Sequence, residues 1–487
     1  MRVEDHGPNS LTQRLRHTPH VKSSVPSTTP LQYVSPLSRA EVWTGVFPPQ
    51  HLPGSMTSTV GPVATRRSFT RHSSPLARSP ATHGFIRHDR LDDIARDHGW
   101  LIPACSVTAG AIAATLLALV HRQIDLGTYL MGGAHALRGD LYEVVYQPTH
   151  LGFTYPPFAA MLFAPVSHLS TRVDQVAFTW LNLACLFGVI AVSLRATYPG
   201  LERRSVVWWS LVALTPVGLL DPVRETFLLG QVNLLLALGV IADMTVVPTK
   251  RRGYLIGLAA AIKITPLLLA PYLLLTRQRH AGQRALATFV AAGAVTAALT
   301  PSVSWTYWTH DLWRPKSAGR LSWVGNQGVV GVAERLLGRT INVSTTFILV
   351  AVVCAIGLAI AIAAQRQSPL LGFLVIEATE SMASPVSWSH HFIWVILLIA
   401  WLALAAERPA HGVWWAGLTA TIFWAAPIWW VPHGPNVHFA GRGWLALPAD
   451  SFFIVFAVLV LATLVRVNRA TRSARRVQTG EQRPAGL

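Results

Sequence analysis

A run of twenty residues, Leu101 to Val120, carries no charged side chain. At ~1.5 Å of rise per residue, a helix of that length matches the hydrocarbon core of a bilayer. Further apolar runs follow near 157–169, 174–194, 206–220, 227–247, 254–275, 285–300, 343–364, 370–383, 388–406, 411–431 and 450–465. They are long and continuous, whereas the strands of a membrane barrel alternate in hydrophobicity. The chain therefore reads as an all-α polytopic membrane protein. We expect roughly ten to twelve transmembrane helices with large extracytoplasmic loops and both termini inside.

Only 13% of the 487 residues are charged, against about a quarter in a soluble protein. The net charge of +18 suggests nucleic acid at first sight, but its distribution argues otherwise. Basic residues gather at 195–204, 250–252 and 277–284 and in the tail from Arg466, flanking apolar runs in the positive-inside pattern. Anionic headgroups at the cytoplasmic face are the expected counter-charge, and nucleic acid is not an expected partner. Cys105, Cys185 and Cys354 sit singly in apolar runs, so neither a zinc site nor a disulfide frame is indicated.

Three segments follow. Residues 1–95, rich in Pro, Ser, Thr, His and Arg, read as a disordered basic cytoplasmic tail, or as sequence upstream of a start at Met56. Residues 96–466 form the membrane domain, and 467–487 a second basic cytoplasmic tail. The run 254–275 has basic clusters at both ends, which breaks the alternation of sides. Lys263-Ile264-Thr265-Pro266 interrupts it, and a broken hairpin would explain the pattern.

Polar residues in this setting are the candidates for chemistry. Asp125 follows the first span at the membrane mouth, where a carboxylate is costly to bury. The stretch after it, with Gly132, Gly133, Asp140 and Tyr142, reads as a long structured loop. Thr154-Tyr155-Pro156-Pro157-Phe158 turns the chain back towards the membrane. In Asp221-Pro222-Val223-Arg224-Glu225, Arg224 matches phosphate geometry. Gln231 and Asn233 open an otherwise apolar run, either for helix–helix hydrogen bonds or for sugar hydroxyls. Asn326 and Gln327 lie in loop 302–342 behind several tryptophans, which form an interfacial belt or stack on sugars. Lys263 is a mid-membrane cation, functional unless it snorkels to the interface. His390 and His391 open an apolar helix about 100° apart, so one faces a ligand and the other packs. No spacing indicates a metal site.

The ordered set Asp-Leu-x-x-Tyr (from Asp125), Gly-Asp-Leu-Tyr, Thr-Tyr-Pro-Pro-Phe, Gly-Gln-Val-Asn, Lys-x-x-Pro and Ser-Pro-Val-Ser-Trp-x-His-His resembles glycosyltransferase family 87 over residues 101–466. These are the actinobacterial polyprenol-phosphate-mannose-dependent α-(1→2)-mannosyltransferases. The resemblance implies a C-type glycosyltransferase fold in the plasma membrane and a polyprenyl-phosphate-mannose donor. It implies mannosylated acceptors: phosphatidylinositol mannosides, lipomannan or lipoarabinomannan. Asp125 matches the family's catalytic base, and His390 and His391 its histidine pair. Inverting transfer needs a base for the acceptor hydroxyl and positive charge for the leaving phosphate, from Arg224, Lys263 or a protonated histidine. No cofactor is expected beyond the lipid-linked donor, and no metal is required. The alternatives are transfer of another polyprenyl-linked sugar such as arabinofuranose, or a lipid-linked sugar transporter or flippase. Transporters favour inverted repeats, and none is evident.

Overall fold

The computed structural model describes residues 88–168, 171–313, 320–404, 409–434, 437 and 439–478. For residues 1–87, the expected disordered tail lies outside the described residues. Residues 88–95 depart from that expectation: they belong to helix α1 (His88–Asp97). It is tied down by Trp209 Nε1 donating to Leu91 O and by Glu202 N donating to Asp92 Oδ1.

The described residues are mostly helical. After α1 come α2 (Leu101–Val120), α3 (Ile124–Ala134), a two-stranded antiparallel hairpin β1 (Val145–Tyr146) and β2 (Leu151–Gly152), and α4 (Pro157–Phe163). Then follow α5 (Thr171–Thr197), α6 (Arg203–Gly218), α7 (Asp221–Leu229), α8 (Asn233–Thr245), α9 (Tyr254–Ile262) and α10 (Leu269–Leu275). Next are α11 (Arg279–Leu299), α12 (Pro301–Thr306), α13 (Val329–Leu337), α14 (Val343–Gln365) and α15 (Pro369–Ala383). The last are α16 (Val395–Leu404), α17 (Pro409–Ala425), α18 (Ala446–Ala449) and α19 (Ser451–Gln478). Thus 121–156 and 302–342 are not plain loops, and α19 carries the helix well into the basic tail.

By length and composition, α2, α5, α14 and α19 can cross a membrane, and the α6–α7 pair, bent by 78°, makes a fifth if it is one broken span. Among the described residues these are the helices long and apolar enough to span, which does not by itself bear out ten to twelve crossings, and several other apolar runs fold into shorter pieces. The run 157–169 supplies only the seven-residue α4. The run 227–247 breaks at Gly230, whose φ of +71° suits glycine and ends α7. The run 388–406 starts as a 3-10 turn over Ser389–Trp394.

The run 254–275 is a broken hairpin. Lys263 is extended between α9 and a 3-10 turn at Thr265–Leu268. Its two basic ends are lashed together: Arg252 Nη1 donates to Gln278 Oε1 at 2.6 Å, and Arg284 donates to the carbonyls of Arg252 and Thr249. Both α9 and α10 pack on α11. The chain thus enters and returns on one side, which accounts for the two adjacent basic clusters.

Helix α15 is the centre of the bundle. Every residue from Leu371 to Ala383 is buried, and α14 and α19 pack on it. Ser368 caps its start by accepting from Leu371 N, with Pro369 at the first helical position. By contrast, α2 turns Ile112, Leu116 and Val120 outward, as a lipid-facing helix does.

The hairpin seat generates a test. Gly253 has φ +109°, and a Cβ there would stand 2.1 Å from the Ala281 carbonyl oxygen. Gly253→Ala should destabilise the fold by about 1–3 kcal/mol. Gly293→Ala, which meets open space, should stay within about 0.5 kcal/mol of the parent. Melting followed by tryptophan fluorescence in detergent separates the two.

Candidate functional site

The site is built where α3, α8, the α9–α10 break and the Ser384–His391 turn converge. Asp125 lies in the first turn of α3, where the helix dipole favours a carboxylate. The preceding Gln123 has φ +42°, a strained conformation for a non-glycine residue. It is held by its side-chain amide, which donates to Thr179 Oγ1 at 2.8 Å and Phe227 O at 3.2 Å. Gly230 allows the close approach of the chain to α3, since a Cβ would stand 2.7 Å from Leu126 Cβ. That approach brings Gln231 onto Asp125.

Gln231 Nε2 donates to Asp125 Oδ2 at 2.5 Å. Its Oε1 accepts from Tyr129 Oη at 2.7 Å and Tyr155 Oη at 3.3 Å, and the two phenols lie 3.0 Å apart. Asp125 is partly buried, and its Oδ1 carries no intramolecular hydrogen bond among the described residues. Burial pushes the carboxyl up to about 6, against the Gln231 hydrogen bond and the Lys263 charge, which pull it down.

Tyr155 joins this half of the site to the next. Lys263 Nζ lies 5.7 Å from the centre of its ring, in cation–π range. Lys263 is buried and does not snorkel: Nζ donates to Asn233 Oδ1 at 2.9 Å. The negative charges acting on it are Glu380 and Asp125. Asn233 Nδ2 in turn donates to His390 O at 2.9 Å.

The two histidine rings are edge to face, 4.8 Å apart. His391 lines a narrow cavity with Asn233, Lys263, Thr265, Glu380 and Ser387, whereas His390 is buried with Nε2 unpartnered in the protein. This cavity holds about 30 Å³, room for roughly one water. A group larger than a water does not fit between these side chains as they stand.

Arg224 and Glu225 lie on α7. Arg224 Nη2 donates to Asp221 Oδ1 at 2.7 Å, and Trp429 Nε1 donates to the same oxygen at 2.8 Å. The guanidinium charge is thus already shared with a buried carboxylate.

Asn326 and Gln327 are not ligands for a sugar in this arrangement. Asn326 donates to Leu321 O and Pro385 O and accepts from Gly328 N and Ser387 N. Gln327 donates to Val324 O and Ala449 O and accepts from Phe453 N. Their amides are saturated by buried backbone groups. What they do is clamp the turn that precedes the histidines, with Gln327 N donating to Ser387 O at 2.7 Å.

Sequence reasoning missed Tyr129 and the carboxylates Glu377 and Glu380. Tyr129 was visible in the Asp-Leu-x-x-Tyr pattern. Two glutamates three apart inside the apolar run 370–383 carried the same signal that singled out Lys263.

A family model, Glycosyltransferase family 87, matches residues 153–387. A polyprenol-phosphate-mannose-dependent α-(1-2)-phosphatidylinositol pentamannoside mannosyltransferase of Mycolicibacterium smegmatis is 34% identical over 358 residues, covering 70% of this chain and 84% of that protein. A phosphatidylinositol mannoside mannosyltransferase of the same organism, with the same donor dependence and linkage in its name, is 32% identical over 73% of this chain and 86% of its own length. Its counterpart from Mycobacterium tuberculosis is 30% identical over 68% and 87%. No solved structure matches the chain. An apolar helical frame, a polar seam within it, and relatives of this identity over two thirds of the chain lead to one conclusion: the chain is a membrane glycosyltransferase and belongs to glycosyltransferase family 87.

Proposed function

We propose that the chain transfers mannose from polyprenyl-phosphate-mannose to a mannosylated phosphatidylinositol-type lipid or lipoglycan, forming an α-(1→2) linkage with inversion. The relatives' activities support the donor, the linkage and the acceptor class, and favour mannose over another polyprenyl-linked sugar. Family membership in an enzyme class argues against a transporter. The observation that carries the mechanism is the Asp125 carboxylate, with Oδ2 fixed by Gln231 and Oδ1 without a hydrogen bond among the described residues.

In this reading Asp125 Oδ1 takes the proton of the acceptor hydroxyl. The acceptor oxygen attacks the anomeric carbon opposite the phosphate, and the bond from that carbon to the phosphate oxygen breaks. A β-linked donor so gives an α-linked product. Lys263 faces the charge developing on the polyprenyl phosphate, and His391 donates a ring N–H to it. Asn233 orients Lys263 from one side while Tyr155 covers it from the other. The lipid-linked sugar is the only co-substrate, and no step is assigned to a metal. The frame is proposed as a C-type glycosyltransferase fold in the plasma membrane. The site is proposed to face the extracytoplasmic side; the basic ends of the α9–α10 hairpin support this, since basic residues favour the cytoplasmic side.

Three outcomes follow. With labelled polyprenyl-phosphate-mannose and phosphatidylinositol mannosides, Asp125→Asn should lower transfer by about 10²–10⁴-fold while the protein melts as the parent does. More than a tenth of parental activity would exclude the base assignment. The base works ionised, so the parental rate should be flat above the Asp125 value of about 6 and fall below it, by about tenfold per pH unit. A rate unchanged down to about pH 5 would contradict it. For orientation, single cysteines are placed in a background lacking the three native ones. Gln147→Cys should react with an impermeant thiol reagent in intact cells and Lys250→Cys should not; the reverse pattern refutes the sidedness.

A further inference from the structure

A roomier space lies away from the candidate site. A second cavity of about 390 Å³ opens where the ends of α5, α8 and the hairpin meet the start of α15. That volume lies within the range of small-ligand sites. Arg195, Arg252 and Gln278 line it together with Met244, Leu370 and Phe373. Two helices run between the cavities. Helix α8 carries Asn233 in the first and Met244 in the second, and α15 carries Leu370 in the second and Glu380 in the first. At ~1.5 Å per residue the separation along α8 is about 16 Å.

We infer that this cavity is a binding site for the headgroup of an anionic phospholipid at the cytoplasmic end of the bundle, separate from the transfer site. Arg195 is exposed and makes no ion pair or hydrogen bond among the described residues. Arg252 is held in place by donating to Asp243 O at 2.9 Å and to Gln278 Oε1 at 2.6 Å, and its Nη2 has no intramolecular partner. Two guanidiniums on one wall, one of them anchored through two of its donors, supply charged donors that suit a phosphodiester. Besides these guanidiniums, Gln278 and Thr245, the wall carries an apolar side of Met244, Val246, Leu370 and Phe373 against which acyl-chain stems can lie. Lys250, Arg251, Arg277 and Arg279 are neighbours in sequence of the lining residues Arg252 and Gln278, and basic residues so clustered draw anionic lipid.

The full-length protein in a neutral detergent is titrated with dioctanoyl phosphatidylglycerol, and melting is followed by tryptophan fluorescence. A saturable rise in Tm is expected, with dioctanoyl phosphatidylcholine and inorganic phosphate each giving none. Arg195→Gln, at an exposed position without internal partners, should weaken the apparent Kd at least about tenfold, the loss of one charge-assisted hydrogen bond. Ala196→Trp, which fills the cavity from its wall, should remove the saturable rise. Parental affinity in both variants overturns the site. An equal response to phosphatidylcholine overturns the charge recognition, and an equal response to inorganic phosphate overturns the lipid.

Discussion

One hydrogen bond, from Gln231 to the carboxylate of Asp125 at 2.5 Å, is what the surrounding architecture serves. A carboxylate beside a bilayer costs free energy to desolvate, and a donor amide lowers that cost while fixing one oxygen. The amide itself must be fixed. Two phenols donate to its oxygen, Gly230 lets its backbone approach α3, and Gln123 anchors α3 in a strained turn. Removing Gln231 would leave Asp125 Oδ2 without its donor, so the carboxylate depends on the contacts that hold the amide.

The second constraint is that polar backbone at membrane depth needs cover. The chain meets it by breaking helices only where other elements enclose the break. Lys263 interrupts the α9–α10 hairpin against Asn233 and Tyr155, and the Ser384–Ser389 turn is covered by Asn326 and Gln327. Breaks and the candidate site residues therefore coincide. Helix α15, buried from Leu371 to Ala383, holds Glu377 and Glu380 beside the seam, where a lipid-facing helix would not carry them. Its other end opens on the basic cavity, so a single rigid helix spans both sites.

Much of this was legible in the residues. The membrane class followed from uncharged runs, and the break at Lys263 from a lysine and a proline in one apolar stretch. The convergence of Asp125, Gln231, Asn233, Lys263 and the histidines was suggested by their rarity in such surroundings. Apolar runs alone could not give the number of spans. Run length reports hydrophobicity, and both a full span and a re-entrant piece such as α4 or α9–α10 satisfy it. Asn326 and Gln327 misled for a related reason. An amide among tryptophans looks the same in sequence whether it meets a sugar or a backbone, and only the partners tell.

The central claim is that Gln231 acts through Asp125, and a double-mutant cycle tests it most directly. Transfer rates are measured for Gln231→Ala, Asp125→Asn and the pair, with equal folding confirmed by melting. If the amide works by holding the base, the pair is no slower than Asp125→Asn alone, because the second change removes a support that no longer has a function. If the two losses multiply in full, Gln231 and Asp125 act independently, and the seam described here is not a single catalytic unit.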